Sequence, residues 1–479
     1  MNIPATFAIV MIPFLSLVAA VLPAQVRAQS LEEALATAYA TNPALLAERA
    51  ALRATDEGVA RALSGWRPTV TVNGQFDHQF TDSETRFLFS AGEQTIDTKS
   101  IELSLSQPLY RGGRTVSDTQ RSENLVLAGR ANLIDIEQQV LLDGTIAYMN
   151  VVRDQAVVEL SINNERVLGR QLEATRDRFE VGEVTRTDVS QAEARLSNGN
   201  AVRIEAEGAL AIARANYLAV IGDLPGQIDF PTADNRPLLP DSQEEALRLS
   251  RARHPALIRA GFLERAALYD ISYAGGRLLP EVTFDTSISR ALDPTTFTDE
   301  QDSFQFGVTG RVPLYQSGDE YAEIRQLRQT AAQRRRELDS ARRTAEEDAS
   351  GVWVELQTAV AQIRALEASV RANRIALEGI EQEAAVGART VLDVLDAEQE
   401  LFDAQVNLVR ARRDEIVAGY ELLQVIGSLT APALRLPVTQ YDPAAHYQEV
   451  RDKWIGFGSD YNAGALIDLD TEGWFDFLE

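Results

Sequence analysis

Residues 181–195, VGEVTRTDVSQAEAR, return as residues 386–400, VGARTVLDVLDAEQE. Val, Gly, Thr, Asp, Val, Ala and Glu recur at matching places, each displaced by 205 residues (181 to 386). The match runs on from Ile221-Gly222-Asp223-Leu224 to Ile426-Gly427-Ser428-Leu429. An earlier series is displaced by 212: Glu32-Glu33-Ala34-Leu35 against Glu244-Glu245-Ala246-Leu247, Pro43-Ala44-Leu45 against Pro255-Ala256-Leu257, and Pro68 against Pro280. The chain therefore reads as two tandem copies of one unit. The first covers residues 29–224 and the second residues 244–430, with a linker at 225–243 and an acidic tail at 431–479.

Each unit opens with a helical stretch, residues 31–65 in the first, broken near Asn42-Pro43. Pro68 and Pro280 then begin segments of strict alternation. Val70, Val72, Phe76 and Phe80 share one parity, while Thr69, Thr71, Asn73, Gln75 and Asp77 share the other. Ile101, Leu103 and Leu105 alternate with Glu102, Ser104 and Ser106. Val282, Phe284 and Ile288 alternate with Thr283, Asp285, Ser287 and Ser289, and Phe304, Phe306, Val308 and Val312 with Gln305, Thr309 and Arg311. Period two predicts strands with one apolar face. Each run is about ten residues, the length of a tilted membrane-crossing strand.

These strands form two hairpins, residues 68–110 and 280–315. The polar tips, residues 81–98 and 291–302, are expected to be loops. Four strands are too few for a barrel, since the smallest membrane barrels use about eight. Open edges cannot face lipid, where unpaired backbone groups find no water. Spanning strands must be pooled between chains, and three chains supply twelve. Similar exits follow both hairpins, QPLYRGG at 107–113 and VPLYQSG at 312–318. Tyr110 and Tyr315 suit an interfacial aromatic girdle, or serve as packed strand-end aromatics.

Two proline-free stretches follow, with apolar residues at three- and four-residue steps, as in Leu133, Ile136, Val140 and Ile146. They read as helical hairpins over 114–222 and 318–427. Residues 115–180 make one helix about 100 Å long at 1.5 Å per residue. The return helix, residues 188–222, is about 52 Å, and the helix at 44–65 about 33 Å. Stacked end to end, these two nearly match the long one. Each unit then gives two struts, and three chains give twelve. The predicted fold class is mainly α with a membrane β-barrel: a trimeric twelve-stranded barrel continued by a long α-helical barrel. The tail after Pro437 lacks a helical period and is expected to lie loosely outside the helices or to be partly disordered.

The formal charge of −25 argues against a nucleic-acid partner. With no cysteine, there is no disulfide, no thiolate metal site and no lipid attached at an N-terminal cysteine. The three histidines, His78, His254 and His446, show no ligand spacing. No glycine-rich phosphate loop follows a strand, and no cofactor or catalytic residue is expected. Residues 1–28 carry a 16-residue apolar run from Phe7 to Leu22, too short for a span, then Val26-Arg27-Ala28 before Gln29. They read as a secretory signal.

On the duplication, the hairpins, QPLYRGG, VPLYQSG, VGEVTRTDV and VGARTVLDVLDAEQELFDAQ, the chain resembles the TolC family of outer-membrane channels over roughly residues 30–430. The resemblance implies a homotrimer in the cell outer membrane with a large periplasmic portion. It implies an exit duct for efflux or type I protein secretion, working with a periplasmic adaptor and an inner-membrane ABC or RND transporter, on the non-lipidated branch. By the same resemblance, Asp393 and Asp396 line the constricted periplasmic entrance. Arg389 latches the inner helix to the neighbouring first-unit turn through Thr187 and Asp188. Ala384 stands where the best-known family member has a tyrosine, so that link is missing here.

The residues alone leave an alternative open: two exposed acids at a helix N-terminus, which the helix dipole favours. Gly182 and Gly387 read as residues that the turn backbone needs. A soluble periplasmic coiled-coil adaptor or a structural scaffold would share the helices. Neither has a use for four strands with one apolar face.

Overall fold

The computed structural model describes residues 29–83, 92–226, 228, 230–231 and 239–456. The expected signal at 1–28 and the last part of the tail, 457–479, lie outside the described residues.

Local chemistry sets the element boundaries. Helix α1 (Leu31–Thr41) opens on a capping box: Ser30 Oγ accepts from Glu33 N–H while Glu33 accepts from Ser30 N–H. The chain breaks at Asn42, whose Oδ1 accepts from Ala44 N–H at 2.9 Å, and Pro43 begins α2 (Pro43–Leu63). A tight turn at Ser64–Trp66 leads into β1 (Thr69–Ser83) and then β2 (Gly92–Arg111). Helix α3 (Arg114–Glu180) and helix α4 (Arg186–Ile221) complete the series. The order then repeats as α5 (Gln243–Arg253), α6 (Pro255–Gly275), β3 (Glu281–Thr295), β4 (Thr298–Arg311), α7 (Asp319–Ala385) and α8 (Val391–Val425).

The strands form one antiparallel sheet in the order β1-β2-β3-β4. β2 pairs with β3, so one ladder joins the two units, while β1 and β4 are its edges. Between Pro108 and Tyr110 the β2–β3 register shifts, where proline has no N–H to give the ladder. The hairpin tips differ from the expected loops. Pairing runs on through Ser83↔Gly92 in the first hairpin and Thr295↔Thr298 in the second. Backbone pairing needs no apolar side chain, so the ladder continues where the apolar alternation fades. Residues 84–91 of the first tip lie outside the described residues.

The helices form a single layer below the sheet. Near the sheet the order is α2–α3–α6–α7, and further away it is α4–α3–α8–α7. Helices α2 and α4 therefore share one strut and α6 and α8 another. At the first junction Thr41 Oγ1 and Asn42 Nδ2 donate to the last carbonyls of α4, Ile221 and Val220. At the join between sheet and helices, Gly112 lies so close to Gly276 O that a Cβ would sit 2.2 Å from it. Only glycine permits that approach.

The main apolar core lies at mid-height. Leu35, Leu141, Met149, Tyr217 and Leu422 are all buried there, with Leu429 from the end of the second unit and Leu436 from the tail. The tail is not loosely placed over residues 431–456. Ala431 N–H donates to Glu137, and Tyr441 N–H donates to Tyr39 Oη. The short helix α9 (Ala445–Val450) packs on α2, where His446 meets the buried Asp56. Arg130 stacks on Tyr447 and Arg67 on Trp454. Aromatic and ionic contacts need no helical period, which is why periodicity missed them.

Candidate functional site at the helical tip and the sheet face

The far end of the helical layer carries the two matched turns. In each, a threonine caps the return helix and the aspartate three residues on closes the box. Thr185 N–H and Oγ1 donate to Asp188 Oδ2 at 2.8 and 2.7 Å, and Asp188 N–H returns a bond to Thr185 Oγ1. Thr390 and Asp393 repeat this at 2.8, 2.8 and 3.2 Å. The Thr-x-x-Asp spacing in both copies is a capping signature legible in the sequence. The bonds from Thr390 hold the Asp393 carboxyl below its usual range, and those from Thr185 do the same for Asp188. Gly182 and Gly387 both sit at φ +79°, a left-handed turn position that other side chains resist.

The remaining candidates separate. Asp396 pairs with Arg195 of α4, a partner 201 residues away that no local pattern signals. Arg389 Nε donates to Glu383 Oε2 at 2.7 Å, and that carboxylate raises the Arg389 pKa. Thr187 is exposed at the second position of α4. Within one chain, then, Arg389 and Asp188 are each held by their own turn. The first turn carries its own ion pair, Arg178 of α3 with Glu183; 205 residues on, Arg178 corresponds to Glu383 but Glu183 to Ala388. Val391 and Leu395 of α8 pack against Leu168, Leu172 and Ala192, so the two turns form one tip. Just above them, half-buried Glu398 is pushed up in pKa by burial and then by Glu381, with Arg170 opposing.

At the other end, register places the apolar residues on one face. Val70, Leu105, Thr286 and Phe306 form one row, and Val72, Leu103, Ile288 and Phe304 the next. These large side chains point into solvent in the single chain, Phe306 being 68% exposed. From Val70 to Phe80 the strand runs about 34 Å at 3.4 Å per residue. The face is not apolar over all of that length: the row of Gly74 holds Arg290 and Asp302, and the row of Phe76 holds Lys99 and Glu300. On the same face, toward the hairpin tips, Arg290 pairs with Glu300 and Asp302, and His78 with Asp97. Tyr110 and Tyr315, both exposed, lie at the helix end of the sheet.

The opposite face carries Thr71, Asn73, Glu102, Ser104, Asp285, Ser287 and Gln305. Among the described residues no helix is long and apolar enough to cross a membrane.

The profile of the family described as "Outer membrane efflux protein" matches residues 34–223 and 246–428. The outer membrane efflux protein BepC of Brucella suis is 35% identical over 433 residues, covering 89% of this chain and 92% of that protein. The outer membrane protein TolC of Vibrio cholerae is 28% identical, over 87% of this chain and 95% of its own. In fold, the chain superposes on the CmeC outer membrane channel of Campylobacter jejuni with a TM-score of 0.75 at 14% identity, over 88% of this chain and 89% of that one. With both units covered by the profile and a relative aligned over nearly its whole length, the chain belongs to the outer membrane efflux protein family, the TolC family of channels.

Proposed function

We propose that three copies of this chain close into a twelve-stranded barrel in the outer membrane, continued by a twelve-strut helical tunnel in the periplasm. The chain is an outer-membrane efflux and secretion channel, a conduit rather than a catalyst. The observation that carries the trimer is the coincidence of open edges. The sheet ends on β1 and β4, and the helical layer ends on α2 with α4 and on α7. The sheet and the helical layer thus end on the same two flanks. A head-to-tail contact between unlike flanks forms a ring when the rotation closes. The polar sheet face then lines the pore and the apolar face meets lipid.

The tip is the periplasmic gate of this duct. Asp393 and Asp396 supply carboxylates near the axis, three of each per ring. Arg389 latches to Thr187 and Asp188 of the adjacent turn. Exposed ion pairs contribute little, so exchanging Glu383 for a neighbour's aspartate costs little, which suits a gate that opens and closes. The tunnel mouth meets a periplasmic adaptor and an inner-membrane ABC or RND transporter, which supplies cargo for efflux or type I secretion.

Single-channel conductance in planar bilayers tests the gate. Arg389→Ala with Asp188→Ala should raise conductance, and a wild-type value would refute the latch. Asp393→Ala with Asp396→Ala should weaken cation selectivity and divalent block; unchanged selectivity would refute the carboxylate ring.

A further inference from the structure

One flank of α7 carries charge unlike the rest of this acidic chain. Arg325, Arg328, Arg335, Arg336, Arg342 and Arg343 are all exposed. At 100° per residue they fall within about a third of the helix circumference. Ion pairs within the chain leave most of them unused: Arg336 and Arg342 share Asp339, at 3.4 and 4.0 Å. Among the described residues, no ion pair is formed by Arg325, Arg328, Arg335 or Arg343. The stripe lies on the side of α7 where α5 packs, since Arg251 of α5 reaches Glu346 and Gln243 reaches Ser350. It therefore shares a flank with α5.

Residues 457–479 have the opposite character. They hold six carboxylate side chains, at Asp460, Asp468, Asp470, Glu472, Asp476 and Glu479, and no Lys, Arg or His. Phe457, Tyr461, Trp474, Phe475 and Phe477 are interleaved with them. The described tail ends beside the sheet end of α2, where Arg67 donates to Lys453 O and stacks on Trp454. Helix α2 is an edge of the layer, and α7 is the other edge.

We infer that residues 457–479 of one chain dock on the α7 arginine stripe of the next chain in the ring. The inference rests on the trimeric ring proposed above. In that ring the next α7 is one helix spacing from α2, about 10 Å. The chain's own α7 is three spacings away, across α3 and α6. Twenty-three residues reach about 75 Å when extended, so length does not limit the contact, and proximity selects the neighbour. Carboxylates meet guanidinium groups, and the aromatic rings stack on arginine faces. The tail thereby acts as a strap between subunits across the seam where α2 meets the next α7.

The chain has no cysteine, so introduced thiols are unambiguous. Ala332 lies exposed within the stripe. In the full-length Ala332→Cys, Ser459→Cys protein, purified in detergent, a bifunctional thiol linker should give covalent dimers and trimers on a denaturing gel. Yield should fall several-fold in high salt, and likewise when Arg325, Arg328, Arg335 and Arg342 are all changed to Glu. The salt series on the parent pair keeps the test valid if the charge-reversed protein fails to fold. Linkage only within a chain, or none in a preparation whose native mass is that of three chains, overturns the inference and leaves the ring standing. A native mass of one chain removes both.

Discussion

The mid-height core and the sheet are built from similar residues placed oppositely. In the core, Leu422, Leu141 and Tyr217 are closed off by their own chain. In the sheet, Phe304, Phe306, Val70 and Val72 have backbone partners but no cover. In the proposed trimer the core stands alone, whereas lipid covers the face of the sheet and other copies cover its edges. The difference separates folding of the periplasmic part from assembly in the membrane, and substitutions should separate them too.

The largest effect falls on the core. Leu422→Ala should cost about 2–5 kcal/mol, transfer and cavity contributions together. The thermal midpoint followed by helical circular dichroism should drop whether or not the sheet is assembled. Phe304→Arg should cost about 2–4 kcal/mol near the bilayer midplane. It should leave helix content unchanged while abolishing the heat-sensitive oligomer band of membrane extracts. An equal loss of helix signal in both variants would break the distinction.

At the tip, Thr185→Ala and Thr390→Ala should each fray the first turn of the return helix they cap. Amide exchange should speed up there and leave the core untouched. The smallest effect is a pH dependence. Glu398 is raised in the folded state, so its stabilising contribution is full below its ordinary 4.5 and is lost as pH rises through its folded value. Glu398→Gln should therefore slow exchange at the tip at pH 7 and change nothing below that value. Asp188 and Asp393 run the other way, since their contribution is present above 3.8 and lost as pH falls through their lowered values. Mild acid should tighten the Glu398 contact before stronger acid strips the caps.

Periodicity carried much of this architecture. The long helices, the two-faced strands and the duplication are written in local spacing, because a helix or strand repeats its contacts at fixed steps. The reach of the ladder past residue 81 was not, because backbone pairing is blind to side chains. Nor was the tail's course along α1, α2 and α3, which depends on contacts such as His446 with Asp56, 390 residues apart. At the tip, Gly182, Gly387 and the capping aspartates could be placed from spacing. Arg195 with Asp396 could not, since the pair exists only once two turns are brought together. The Glu383–Arg389 and Arg178–Glu183 pairs are local, but their spacings of six and five residues are not the three- and four-residue steps of a helix face.

In the proposed channel, incomplete walls are completed by identical neighbours. Native mass spectrometry of the detergent-extracted protein counts those neighbours directly. A single species of three chains, dissociating to one without a stable pair, is the expected result. A protein that is monomeric in plain buffer and needs no detergent would contradict it.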